Sequence, residues 1–140
     1  MSQATFLVGQ STNKFSNTEK YLIEGLGKHR IGISDSILID SCINIFHSTN
    51  NDSLKAIAID QIVEASGDEN IWPKYNQWLY EFALEQLKKG SKKRYHKFFL
   101  NTRAGTVNNF GFLAQSQGDF DNATKYFNDC LLYTSDAADD

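Results

Sequence analysis

The side chains able to do metal or nucleophilic chemistry are few and scattered. His29, His47 and His96 share no ligand spacing with one another or with Cys42. A helical metal site needs donors three to five residues apart, or a His-Glu-x-x-His run, because only that spacing brings two ligands to one face. Neither occurs, so no metal centre is expected. Gly25-Leu26-Gly27 begins like a dinucleotide loop, but Arg30 stands where the third glycine is needed and no strand pattern precedes it. The Gly-x-x-x-x-Gly-Lys-Ser/Thr phosphate cradle is missing, and no nucleophile has a local activating base. A triad built from distant residues would leave no local trace. No catalytic residue is assigned, no cofactor is expected, and the chain reads as a non-enzyme.

Lys88, Lys89, Lys92, Lys93, Arg94 and Lys97 form the one basic cluster. They could contact phosphates, with Tyr95, Phe98 and Phe99 interleaved as stacking surfaces for single-stranded nucleic acid. Against this, Tyr95, Phe98, Phe99 and Thr102 keep helical spacing and belong to a core face, which leaves the lysines to solvate the other side. Positive charge near a helix end is also favourable in itself.

The elements that would position such residues are helices. The chain has 140 residues, enough for one domain, and 41% hydrophobic with 13% aromatic residues can support a packed core. A single proline argues against a strand-and-turn architecture. The formal charge of −3 points no strong field at nucleic acid or an anionic membrane, and no apolar run approaches a bilayer span.

Ser16-Asn17-Thr18-Glu19 has capping-box spacing ahead of Tyr21, Leu22, Ile23 and Leu26, which predicts a short helix closed by Gly27. Ser34 or Asp35 is positioned to cap a second helix. Its residues Ile37, Leu38, Ile39, Cys42, Ile43, Ile45 and Phe46 are dense enough to predict burial on more than one side. A strand is the competing reading there, and the length from Asp35 to His47 favours the helix. Leu54, Ile57, Ala58, Ile62 and Ala65 mark a third helix stopped by Gly67-Asp68. Pro73 opens a fourth, with Tyr75, Trp78, Leu79, Phe82, Ala83 and Leu87 as its stripe.

Two further helices read out of residues 107–127. Val107, Phe110, Leu113 and Ala114 lie on one face of the first; Phe120, Ala123, Tyr126 and Phe127 lie on one face of the second. Gly118-Asp119 breaks the chain between them, with Asp119 placed as a cap. Gly111 and Ala123 are the small residues where two backbones must approach. This hairpin resembles the tetratricopeptide repeat: Phe110-Gly111 and Ala114 match its first block, Ala123 and Phe127 its second. Ala114 departs from the usual aromatic and Val107 from the usual Trp. Asn108-Asn109-Phe110-Gly111 is similar to a variant common in bacterial members. Ala83 and Leu87 suggest a divergent earlier repeat, and the 40 residues from Ala83 to Ala123 exceed the usual period of about 34. The excess falls at Lys88 to Lys97, as a longer loop or an extended helix start.

The resemblance implies an all-α solenoid of antiparallel helix pairs. The helices of residues 15–50 are divergent, with a divergent repeat at 52–89 and a clearer one at 92–129. It implies a scaffold that binds a protein or peptide, as the input region of a larger bacterial signalling protein. The side of the hairpin's first helix that carries Asn108, Phe112, Gln115 and Ser116 corresponds to the concave groove, where an amide can pair with a peptide main chain. The other reading of Asn108 and Asn109 is a bond to a neighbouring helix or to solvent. Phe112 stands where a carboxylate clamp would need Asn, so that specificity is not expected. The alternatives are a nucleic-acid-binding helical domain using residues 88–97, or the regulatory part of an enzyme.

Both ends of the chain stand apart. Residues 1–14 read as a leader, either a disordered terminus or, over residues 1–10, the remnant of a signal peptide; only the latter would place the protein outside the cytoplasm. Residues 130–140, Cys-Leu-Leu-Tyr-Thr-Ser-Asp-Ala-Ala-Asp-Asp, resemble a translated transposon-end sequencing adapter, which would place the end of the natural sequence near Asp129. Setting aside Asp136, Asp139 and Asp140 leaves 14 of the 17 acidic residues, balancing 14 basic ones, and Cys42 as the single cysteine. A disulfide framework is then excluded. The expected consequences are a loose segment at Asp136 to Asp140, an exposed outer face on the last helix, and a chain that self-associates or is marginally stable.

Overall fold

A computed structural model describes residues 31–90 and 93–139, and it is all-α. Five helices follow one another: α1 Ile33–Ser48, α2 Asp52–Ala65, α3 Trp72–Lys88, α4 Lys93–Ser116 and α5 Phe120–Asp139. No strand occurs among the described residues. The helix expected around residues 16–26 and the leader lie outside them. Each helix packs on the next, and α2 also touches α4 past the intervening α3. The connections are short, which makes sequence neighbours antiparallel and leaves α2 and α4 running the same way.

Local chemistry sets the ends. The Asn51 carboxamide oxygen accepts from the Ser53 and Leu54 amides and caps α2. Pro73 sits in the first turn of α3. At the end of α4, Gly118 takes φ 76°. Its N–H donates to the Gln115 carbonyl at 3.0 Å, while the Asp119 N–H reaches the Ala114 carbonyl at 2.8 Å. That pair of bonds is a Schellman closure, which an L side chain at residue 118 would strain. Asp119 then caps α5 through the Asn122 amide at 3.2 Å. The capping expected near Ser34 or Asp35 is not found: Gly32 is the N-cap of α1 and no side chain satisfies that end.

The main core joins α1 to α4. Ile39, Cys42, Phe46, Ala58, Ile59, Ile62, Tyr75, Leu79, Ala83 and Phe99 are all nearly inaccessible. The expectation that α1 is buried on several sides is corrected, since Ile33, Ile37 and Ile45 are exposed and one stripe carries the packing. On α2 the buried stripe runs through Ala56, Ile59 and Val63, while Leu54 and Ile57 open to solvent. The extra residues before the second hairpin extend α4 at its start, giving it 24 residues.

α4 and α5 form the second packed layer, and small residues set their distance. Ala104, Gly111, Ala114 and Ala123 are buried there. A Cβ on Gly111 would stand 2.5 Å from the Phe127 ring, so this contact requires glycine. Phe110 is half-buried and links neighbouring helices, its ring 5.6 Å from those of both Tyr80 and Tyr126. Looseness is not found from Asp136 to Asp139, where α5 stays helical and Ala137 is buried, and Asp140 lies outside the described residues. Arg103 holds those last turns, its guanidinium 3.9 Å from the centre of the Tyr133 ring and 3.8 Å from the Asp136 carboxylate. The outer face of α5 is open as expected, with Phe120, Leu131 and Leu132 more than half exposed.

Candidate functional site

The parallel helices α2 and α4 leave a groove between them, because α3 packs behind both. A cavity of about 270 Å³ occupies it. Ala56, Ile57, Asp60 and Glu64 line one wall; Phe98, Asn101, Thr102, Gly105 and Asn109 line the other. Ala56, Ile57 and Phe98 supply apolar surface to this lining, and Asp60, Glu64, Asn101, Thr102 and Asn109 supply polar groups. Asp60 and Glu64 stand one helical turn apart and share this rim. Burial against the wall pushes the Asp60 carboxyl above its ordinary range, and the nearby charge of Glu64 adds to the shift.

Asn109 joins the groove to the interior. Its Nδ2 donates to Oδ1 of Asn76 at 3.0 Å, and the Asn76 Nδ2 donates to the Thr106 carbonyl at 2.9 Å. Asn76 is fully buried, so both its polar atoms depend on α4. The bond to a neighbouring helix considered for Asn108 or Asn109 is therefore made by Asn109. Asn108 is half-buried and makes no hydrogen bond of its side chain within the described residues.

None of Asn108, Phe112, Gln115 and Ser116 lines the cavity. Phe112 and Ser116 continue the stripe of Gly105 and Asn109 along α4, whereas Asn108 and Gln115 lie further round the helix. α2 ends at Ala65, opposite Asn109, so the later turns of α4 face no second wall. Phe112 is instead paired with the Phe127 ring at 5.5 Å, and the Ser116 hydroxyl donates to the Leu113 carbonyl. The cavity thus lies one to two turns earlier on α4 than Asn108, Phe112, Gln115 and Ser116. Asp60, Glu64, Asn101 and Gly105 escaped the sequence reading. Two signals in the sequence could have found them: like charges one turn apart and a glycine in a helix interior both weaken the helix that carries them.

A second recess of about 430 Å³ lies where α2 begins, lined by residues 50–53 with Gln86, Tyr95 and Phe99. The amides at that helix start are already taken by Asn51, which leaves little there for an anion. The stacking surface considered for nucleic acid is turned inward: Phe99 is buried, and Tyr95 and Phe98 pack against the core. Lys93, Arg94 and Lys97 are exposed, as solvating side chains would be.

Among the described residues, no three His, Cys, Asp or Glu side chains gather closely enough to hold a metal ion, and no helix is long and apolar enough to cross a membrane. Cys42 is buried, and that burial pushes its thiol above the ordinary range, which disfavours the reactive thiolate. No family model, curated protein or solved structure matches the chain.

Proposed function

We propose that this chain is part of a protein- or peptide-binding α-solenoid of tetratricopeptide type, acting as the input or interaction region of a larger bacterial signalling protein. The observation that carries the reading is the groove between α2 and α4, formed where these two helices meet past α3. Close contacts at Gly111 and Ala123, where the repeat pattern wants small residues, support the same reading. The scaffold does no chemistry of its own. Its groove offers amides that pair with an extended main chain and apolar surface that takes side chains.

The test is direct titration with peptides enriched from a random library on the immobilised chain. Binding should saturate at one peptide per chain, and Asn101→Trp, which fills the groove, should abolish it. Single-stranded DNA titrated in parallel distinguishes the basic segment. Tight, steeply salt-dependent binding of the DNA, with peptides indifferent to Asn101→Trp, would overturn the proposal.

A further inference from the structure

We infer that the groove receives an extended, positively charged segment of a partner protein, which crosses α4 at Gly105 and sets a lysine or arginine side chain beside Asp60 and Glu64. The inference rests on the peptide-binding reading above and adds the charge and the position of the occupant.

Gly105 carries the placement. It lies in the middle of a 24-residue helix, where glycine is less stable than alanine. No contact among the described residues explains it, since a Cβ there would meet none of their atoms within 4 Å. Gly111 on the same helix is the contrasting case, held to glycine by the Phe127 ring. What an added side chain at Gly105 would fill is the groove itself. A bare stretch of helix beneath a cleft lets another backbone come close.

The charge follows from the walls. Asp60 and Glu64 both line the cavity, and the facing wall of Phe98, Asn101, Thr102, Gly105 and Asn109 carries no charge. No cation among the described residues offsets either carboxylate, and the influences acting on Asp60 are burial and the like charge of Glu64. Lys55 on the same helix is engaged elsewhere, over the Phe46 ring at 5.2 Å. The groove therefore presents two exposed carboxylates with no neighbouring cation among the described residues, a charge pattern complementary to a basic side chain. Among the described residues Asn101 has no side-chain partner, and its amide offers a donor and an acceptor to a peptide main chain. Asn109, donating Nδ2 to Asn76, keeps its Oδ1. From Ala56 to Glu64 the wall is about 12 Å long, a span filled by about four extended residues.

Phage-displayed random peptides selected on the 140-residue chain test this, with Asp60→Asn/Glu64→Gln and Gly105→Leu as variants checked for helicity by circular dichroism. The wild type should enrich peptides with Lys or Arg at one fixed position. The charge-neutral double variant should lose that bias and bind a wild-type-selected peptide about tenfold more weakly. Gly105→Leu should lose the peptide; if it fails to fold, Gly105→Ala, which suits a helix, should still bind measurably more weakly than the wild type. Peptides without a basic bias, or unchanged affinity in the double variant, would overturn the charge assignment and leave the binding scaffold standing. A wild-type chain that enriches nothing would overturn the scaffold reading itself.

Discussion

Two glycines on one helix answer to different demands. Gly111→Ala puts a methyl 2.5 Å from the Phe127 ring, so the ring must turn away or α4 and α5 must move apart. It should cost roughly 1–3 kcal/mol. Gly105→Ala meets nothing and should instead stabilise the fold by about 0.5–1 kcal/mol while weakening peptide binding. Denaturant melts of the pair give both signs in one experiment. Asp60 makes a pH prediction. Its carboxyl pKa is raised in the folded chain, so folding favours its protonated form. The stability gained that way is fully present below the ordinary carboxylate pKa and is lost as pH rises through the raised value. Asp60→Asn should therefore raise the melting temperature at neutral pH, with the difference from wild type shrinking as the solution is acidified through the carboxylate range. Equal melting temperatures at neutral pH would contradict the assignment. Among the amides, Asn101→Ala should weaken a bound peptide more than Asn108→Ala, because only Asn101 lines the cavity.

At the scale of elements, the contact between α3 and α4 turns on Asn76. Asn76→Leu would remove both hydrogen bonds that tie α3 to α4, to the Thr106 carbonyl and from the Asn109 amide, a loss of roughly 0.5–1.5 kcal/mol for each. Phe110→Ala should cost less than the roughly 3–5 kcal/mol of a fully buried phenylalanine, since the ring is only half-buried between Tyr80 and Tyr126. The helices and their turns were legible in the sequence because local chemistry decides them. Asn51, Pro73 and Gly118-Asp119 act within one turn of where they stand. Facing was legible less often. Ile37, Ile45, Leu54 and Ile57 look like core residues by type, yet the neighbouring helix claims a different stripe and leaves them exposed. The groove was the least legible part. Asn108 and Phe112 stand out locally, but a groove needs two walls, and where α2 stops opposite α4 is a tertiary fact. Asn76 and Asn109 are 33 residues apart, too far for any local pattern to pair them.

For the whole molecule, the outer side of α5 sets solution behaviour. Phe120, Tyr126, Leu131 and Leu132 are exposed on a helix that buries only a narrow stripe through Ala123 and Ala137. A helical domain with such an open apolar side should associate with a second copy as concentration rises. Sedimentation velocity should show mass increasing with concentration, and Leu131→Glu/Leu132→Glu should return the chain to monomer. Arg103 ties the end of α5 to α4, so Arg103→Ala should speed hydrogen exchange at Tyr133 to Ala138 while leaving α2 and α3 protected. The central claim is that the face between α2 and α4 is the binding surface. Amide chemical-shift mapping of the labelled chain with a selected peptide tests it most directly. Shifts should concentrate at Asp60, Glu64, Asn101, Gly105 and Asn109. Shifts confined to residues 93–97 or to the outer face of α5, with Gly105 unmoved, would contradict it.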